Sequence, residues 1–475
     1  VSATASTPPD GGLRRDQLGT GQLTASTVAN IGPGIDFYFG FGVIAATAGV
    51  AAPLTVLAAA VAVFLLCATV AEFTRAEPSA GSFITYVESG LGIRAGAATA
   101  VLVAVGYTVA MAAVIVMSGG FVSLTLEHYT SVHLPWGLLT VVLSLAALAL
   151  MVRGLELSSL VIGVAVAVQV AVMVAAAAAI LVDNAGHLRA DPFSWSHLKG
   201  GLVGLSAGFP LALYMFIGWE NGPALAEETR DPVRTVPRAL YLSVAAATVL
   251  FVFFTYATVT GYHEQLGSVT RSSIPFLTVT DRALGPWAVL AWLAGIASIL
   301  ATLLAGTTSQ ARMLFDGGRR GFLPRPLARL HSGLGTPARA IATVILGGLG
   351  LIGLWALVRV VSGDRSAMDP VGLYAEFSTM GTILIFFVYL LTAVALPFFI
   401  RRRHPERFHP LRHLVVPLLA AGAVLVPFVE LFSPGQPSPY DAFPYVGLGA
   451  LVVAALVGAV LGSRRPQGAP DAGGA

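Results

Sequence analysis

Two stretches set carboxylates beside helix-breaking residues in apolar surroundings. TVANIGPGIDFYFG (Thr27 to Gly40) places Gly32, Pro33 and Gly34 just ahead of Asp36, and FPLALYMFIGWENGPALAEE (Phe209 to Glu228) places Gly218, Glu220, Gly222 and Pro223 together. A helix break frees backbone N–H and C=O groups, and hydrocarbon cannot satisfy them, so they must face protein or a polar cavity. Free N–H groups at a half-helix start attract anions such as a carboxylate. Free carbonyls attract ammonium groups or cations. Two such breaks side by side hold both ends of a zwitterion. A kinked helix without a ligand is the alternative for either break alone; two breaks with acids beside both favour a site.

The elements that carry these residues follow from composition. Of the 475 residues 56% are hydrophobic and 11% charged, against about 25% charged in an average soluble domain. The charges separate long apolar runs, and a run of about 20 apolar residues spans a bilayer as a helix. Twelve spans are expected, centred near Gly34, Val61, Tyr107, Leu143, Gln169, Trp219, Leu250, Ile299, Gly348, Phe386, Ala423 and Ala454. The expected organisation is a tail, 1–24, without structure; a first five-helix repeat, 25–182; an outer loop, 183–199; a second repeat, 200–400; two further helices with a basic loop, 401–463; and a second tail, 464–475. The two broken helices each open a five-helix block. Five is odd, so the second block enters the membrane from the opposite side, as in an inverted repeat, where paired broken helices mark a transporter's binding site.

Arginine distribution orients the chain. With the N-terminus inside, 21 of the 27 basic residues fall on the inner side and 6 outside, as the positive-inside rule requires. Both termini are then cytoplasmic and the protein lies in the plasma membrane. This asymmetry accounts for the pI of 9.1 without a nucleic acid partner. No apolar signal segment opens the sequence, so the first membrane helix is expected to direct insertion. RRRHPERFHPLRH (Arg401 to His413) reads as an orientation signal and a solvated linker, with anionic lipid head groups as a further reading. Its histidines match no zinc spacing, and no metal site is expected. The single cysteine, Cys67, lies in an apolar run and reads as a packing residue.

Four motifs carry a resemblance to a known family. GPG at Gly32 to Gly34, AEFTRAEPSAGSFITYVESGLG (Ala71 to Gly92), FIGWENGPALAEETRDPVRTVPRAL (Phe216 to Leu240) and SQARMLFDGGRRGFLPRPLARLH (Ser309 to His331) occur in this order. The chain resembles the amino acid–polyamine–organocation family of permeases from about residue 25 to 460. That resemblance implies an all-α polytopic membrane fold of the leucine-transporter type, a 5+5 inverted repeat with broken first and sixth helices and two extra C-terminal helices. It places the second motif in a loop after the second helix and the fourth in a cytoplasmic loop after the eighth. It implies substrate contacts at Ile31, Gly32, Pro33, Gly34, Phe216, Gly218 and Trp219, with the Trp219 ring closing the outer side.

The sequence departs from the family pattern at two positions. Pro33 has no N–H, which leaves Gly34 and Ile35 as donors. Asp36 stands where many members have Phe. It caps an Ile35–Phe41 half-helix, reads a substrate's amine, or carries a proton; intramembrane carboxylates are functional candidates by default. Some members carry a lysine in the fifth helix, but the only lysine here is Lys199, and Gln169 is the main polar residue of that span. Ser298 and Thr302 lie at i, i+4 on one face and offer oxygens to a sodium ion, or simply pack helices. Glu220 is a rival proton carrier or a partner of freed backbone. Tyr107 faces the site by family analogy, or packs. Glu227, Glu228 and Arg230 form a cytoplasmic gate or helix-end set, with Arg75 and Arg153 as partners.

The expected function is secondary active import of an amino acid or related amine by alternating access, coupled to a proton or sodium; the alternatives are a polyamine or organic-cation carrier and an amino acid exchanger. The expected partners are the substrate and the lipid bilayer. No cofactor is expected, and no ATP, since Lys199 is followed by Gly200 rather than the Ser/Thr of a P-loop. No nucleophile or metal motif of an enzyme stands out.

Overall fold

The computed structural model describes residues 18–79, 81–153, 159–262, 272, 274–331, 335–363, 369–436 and 438–463. Most of the two expected tails, 1–17 and 464–475, lies outside them. The helices are α1 (Thr20–Ile31), α2 (Pro33–Ala48), α3 (Ala52–Ala76), α4 (Phe83–Leu91), α5 (Ile93–Thr130), α6 (Trp136–Val152), α7 (Ser159–Asp183), α8 (Gly201–Tyr214), α9 (Asn221–Ala224), α10 (Pro232–Gly261), α11 (Pro275–Leu284), α12 (Val289–Arg319), α13 (Ala338–Val361), α14 (Pro370–Arg403), α15 (Val416–Glu430) and α16 (Phe443–Ser463). Among the described residues there is no strand, only an isolated bridge between Leu18 and Thr229.

Nine stretches of the described residues are long and apolar enough to cross a membrane. One of them, Thr20–Ala76, runs 57 residues and suffices for two crossings; Trp136–Val152 and Gly201–Tyr214 are shorter apolar helices. Together they supply the twelve spans. The protein is an all-α polytopic membrane protein.

The breaks form where the sequence removes helix support. Gly32 takes the left-handed conformation (φ +66°, ψ +60°) and ends α1, and Pro33 starts α2 at the position where its missing N–H costs nothing. In the sixth span α8 ends at Tyr214, and turns lead through Gly218 (φ +108°) to α9. A side chain is strained at either φ. Elsewhere small residues let helices approach closely. A Cβ on Gly381 of α14 would stand 2.7 Å from Ala110 Cα of α5, and one on Gly90 of α4 would stand 2.3 Å from the Ala395 carbonyl. These contacts make α5 and α14 the buried spine, whereas α16 lies at the periphery with most of its surface exposed.

Four expectations change. The first helix begins at Thr20, inside the segment read as an unstructured tail, because Leu18 pairs with the chain after the sixth span (Leu18 N to Glu228 O 3.0 Å, Arg230 N to Leu18 O 2.9 Å). The half-helix that contains Asp36 runs from Pro33 to Ala48, not from Ile35 to Phe41. The loop read at Ala71 to Gly92 contains α4, whose apolar residues Phe83, Ile84, Tyr86 and Val87 are buried. The eighth span continues as helix to Arg319, so the motif read as a loop from Ser309 begins as helix.

Candidate functional site

The two breaks cross. Asn30 Nδ2 at the end of α1 donates to the Gly218 carbonyl at 3.2 Å, and a Cβ on Gly218 would stand 2.7 Å from the Asn30 carbonyl carbon. Only glycine permits this approach.

Helix α12 satisfies the first break. Gly34 N–H and Ile35 N–H both donate to Ser298 Oγ at 3.1 Å. One turn on, Thr302 Oγ1 donates to the Ala29 carbonyl at 3.2 Å. A Cβ on Gly32 would stand 2.2 Å from that Oγ1. The donors of the expected anion cradle are therefore held by a serine from another helix. Asp36 lies in the first turn of α2; the residue at the cap position is Gly32, and no side chain caps it. The carboxylate of Asp36 turns instead to Tyr374, whose hydroxyl donates to Oδ1 at 3.0 Å. Gln169 lies beside Gly34, and its Nε2 is buried without a hydrogen-bond partner.

The second break is held by its own acid. Gly218 N–H donates to Glu220 Oε2 at 3.0 Å. Tyr107 and, at 3.4 Å, Tyr389 donate their hydroxyls to Glu220 Oε1. The Trp219 indole N–H donates to Tyr389 at 3.1 Å. Asp36 and Glu220 are 2% and 1% exposed.

A small cavity of about 30 Å³ lies between these groups. Asn30, Asp36, Tyr107, Tyr214, Glu220 and Gln310 give it its polar wall, with apolar contributions from α5, from Ile217 and from Met313. No Lys, Arg or His lines it. Of the residues expected from sequence, the structure brings Asp36, Tyr107, Gly218, Glu220 and Thr302 to this wall. Ile31, Gly32, Pro33 and Gly34 form the adjoining break, with Ser298 and Gln169 behind it. Phe216 and Trp219 do not line the cavity. Phe216 packs edge-on against Phe251 (5.2 Å between centroids) and Trp219 against Phe83 of α4 (6.4 Å). Beside Tyr107, the aromatic ring at the cavity is Tyr214, packed edge-on on Tyr374 and bonded to the Ala110 carbonyl at 2.8 Å. Sequence reasoning missed Tyr214, Tyr374, Tyr389 and Asn30. Their signal is a hydroxyl or amide inside an otherwise apolar helix, which needs a partner when buried.

Aromatic pairs and ion pairs flank the cavity on two sides. On the α2 side, Tyr38 stacks on Phe276 (5.5 Å) and Phe121 on Trp292 (5.4 Å, 1° between planes). On the arginine-rich side, Arg312 grips Glu228 with two bonds of 2.5 and 3.0 Å. Arg319 reaches Glu227 at 2.9 Å and Asp316 at 2.7 Å, and Arg320 joins Asp316 (2.7 Å) to Glu88 of α4 (2.8 Å). The partners of Glu227 and Glu228 thus come from α12. Arg75, expected as one, pairs with Glu72 on its own helix at 2.5 Å, and Arg153 ends α6 outside this network. Among the described residues, no three His, Cys, Asp or Glu side chains cluster as metal ligands.

Comparison with known proteins gives the same assignment at the level of the whole chain. A family model described as amino acid permease matches residues 18–456. The chain is 25% identical over 445 residues to a branched-chain amino acid permease of Bacillus subtilis, covering 89% of this chain and 88% of that one. It is 24% identical over 405 residues to a methylthioribose transporter of the same organism, covering 81% and 82%. A manganese transporter of Eremococcus coleocola shares the fold, with a TM-score of 0.60 at 11% identity over 94% of this chain and 95% of that one. A cavity walled by two broken helices, four motifs in order and a match over nearly the whole length place this chain in the amino acid permease family.

Proposed function

We propose that the protein carries an amino acid or related amine across the plasma membrane by alternating access, with both termini cytoplasmic. One observation carries the reading: the cavity at the crossing of the two breaks presents Asp36 and Glu220 and no basic side chain, which favours a ligand with a positively charged group. The amino group of the substrate sits between Asp36 and the Gly218 carbonyl region. The carboxylate of an amino acid takes the place of Ser298 Oγ on the Gly34 and Ile35 N–H groups, with the unpaired Gln169 amide as a further donor. The branched-chain amino acid permease makes branched-chain amino acids the first substrates to try.

The coupling ion on this reading is a proton. Ser298 Oγ accepts two N–H groups, which uses both acceptor sites of a hydroxyl and leaves none for sodium. Glu220, held by two tyrosines and a freed N–H, is the carrier, and Asp36 reads the amine. The occupancy of Gly34 and Ile35 by Ser298 favours a second reading, an organic-cation substrate that needs no carboxylate cradle.

Uptake into proteoliposomes tests both. Radiolabelled leucine and putrescine are offered with and without an inward proton gradient. Asp36→Asn is expected to lower uptake of the accepted substrate at least tenfold, and Glu220→Gln to abolish its dependence on the gradient while exchange continues. Near-normal uptake by Asp36→Asn leaves the carboxylate a structural group and sinks the amine-reading role. Putrescine uptake without leucine uptake selects the second reading.

A further inference from the structure

A second cavity, which shares no lining residue with the first, lies between α3, α10 and α15 on the arginine-rich side. It holds about 310 Å³ and is lined by Ala68, Glu72, Arg75, Tyr241, Arg412 and Val416. The loop expected as a solvated linker builds one wall. Its last turn, Leu411–Val415, is a π-helical turn that leads into α15. His413 in that turn is buried and anchors it: Nδ1 accepts the His409 N–H at 2.9 Å, and Nε2 meets Glu72 at 3.1 Å. The anchoring fixes Arg412, the next residue back, at the cavity.

The charge at this cavity is unbalanced. Glu72 is its only acid and is already engaged by Arg75 at 2.5 Å and by His413. Arg75 keeps 42% of its side chain exposed. Arg412 is exposed and has no carboxylate partner among the described residues. Two guanidinium groups therefore face a pocket whose one carboxylate is spent, and Tyr241 adds a hydroxyl beside them. Guanidinium forks match the oxygens of a phosphate. The floor is apolar (Ala68, Val416), and the rim continues into exposed apolar side chains: Leu242 on α10 and Val415, Leu418 and Leu419 on the α15 side. These face hydrocarbon in a membrane. An occupant with an anionic phosphate head and an apolar tail satisfies both halves, and a soluble phosphate satisfies only one.

We propose that this cavity is a binding site for the head group of an anionic phospholipid of the arginine-rich leaflet, with its phosphodiester between Arg412 and Arg75 and its acyl chain along Leu242 and Leu418. The site pins α15 to α3 and α10, the helix that follows the broken sixth span.

The test uses delipidated, detergent-purified full-length protein, titrated separately with phosphatidylglycerol, phosphatidylcholine and inorganic phosphate, reading bound lipid by native mass spectrometry and melting temperature in parallel. The wild type is expected to retain phosphatidylglycerol in preference to phosphatidylcholine and to gain thermal stability from it. Arg412→Gln is expected to weaken phosphatidylglycerol binding about fivefold, the effect of one basic residue near an anionic surface. Arg407→Gln removes another exposed charge from the same loop, outside the cavity, and is expected to leave binding unchanged. Arg412→Lys, which keeps the charge and loses the fork, is expected to fall between. Equal loss in Arg407→Gln and Arg412→Gln means diffuse attraction by the loop and overturns the site. So does equal retention of the two lipids. Stabilisation by inorganic phosphate that matches phosphatidylglycerol overturns the lipid as occupant.

Discussion

At the scale of single residues, the site is built by exchanging partners across the two breaks. Ser298 stands in for a cap that the first break lacks, and Glu220 does the same for Gly218 within its own turn. The hydroxyl of Ser298 accepts from two buried N–H groups, those of Gly34 and Ile35. Ser298→Ala orphans both and is expected to cost about 1–3 kcal/mol, seen as a lower melting temperature. If an amino acid carboxylate occupies this cradle, the substrate restores more stability to the variant than it adds to the wild type; an equal gain in both places the carboxylate elsewhere. Gly218→Ala combines a strained positive φ with a 2.7 Å approach to Asn30. It is expected to abolish uptake, because the breaks can no longer cross; wild-type uptake by this variant would show that the contact is dispensable.

At the scale of elements, α12 ties the molecule together at two levels. Its middle turns hold the first break through Ser298 and Thr302, and its C-terminal turns hold the ion pairs on the arginine-rich side. The Arg312–Glu228 pair is largely buried, with 9% and 14% of the two side chains exposed. Removing one member of such a pair costs more than removing both, since it leaves a buried charge without compensation. Arg312→Ala is expected to destabilise by about 3 kcal/mol. Arg312→Met combined with Glu228→Leu is expected to recover most of the melting temperature and still to impair transport, because the closure would no longer depend on charge. A double variant with wild-type transport would reduce this pair to a packing role.

At the scale of the whole molecule, the orientation rests on the arginine count, and the lone cysteine makes it easy to test. Cys67 is fully buried, so the native chain offers little background to a maleimide. Glu406→Cys lies in the exposed turn Pro405–Arg407 and Ser196→Cys in the loop between α7 and α8. A membrane-impermeant maleimide is expected to label Ser196→Cys and not Glu406→Cys in intact cells, and both after permeabilisation. The reverse pattern inverts the topology.

The sequence by itself determined the membrane class, the spans, the paired breaks and the family motifs. These properties are local: apolar run length, the missing N–H of proline and the φ freedom of glycine act within a few residues. It also singled out Asp36 and Glu220, because a carboxylate among apolar residues stands out without any knowledge of its neighbours. What fills the space around them was decided only by tertiary structure. Tyr214 comes from α8 and Tyr374 and Tyr389 from α14, and nothing in their local sequence separates a ring at a cavity from a ring in a core; the neighbours of Trp219, Phe83 and Tyr389, likewise come from distant parts of the chain. The same holds for the partners of charge. Arg75 and Arg312 both lie toward the C-terminal ends of helices, and only the way α12 packs beside the end of the sixth span gives Glu228 to Arg312. Pairing across the fold is set by helix packing over hundreds of residues of separation, which local composition does not encode.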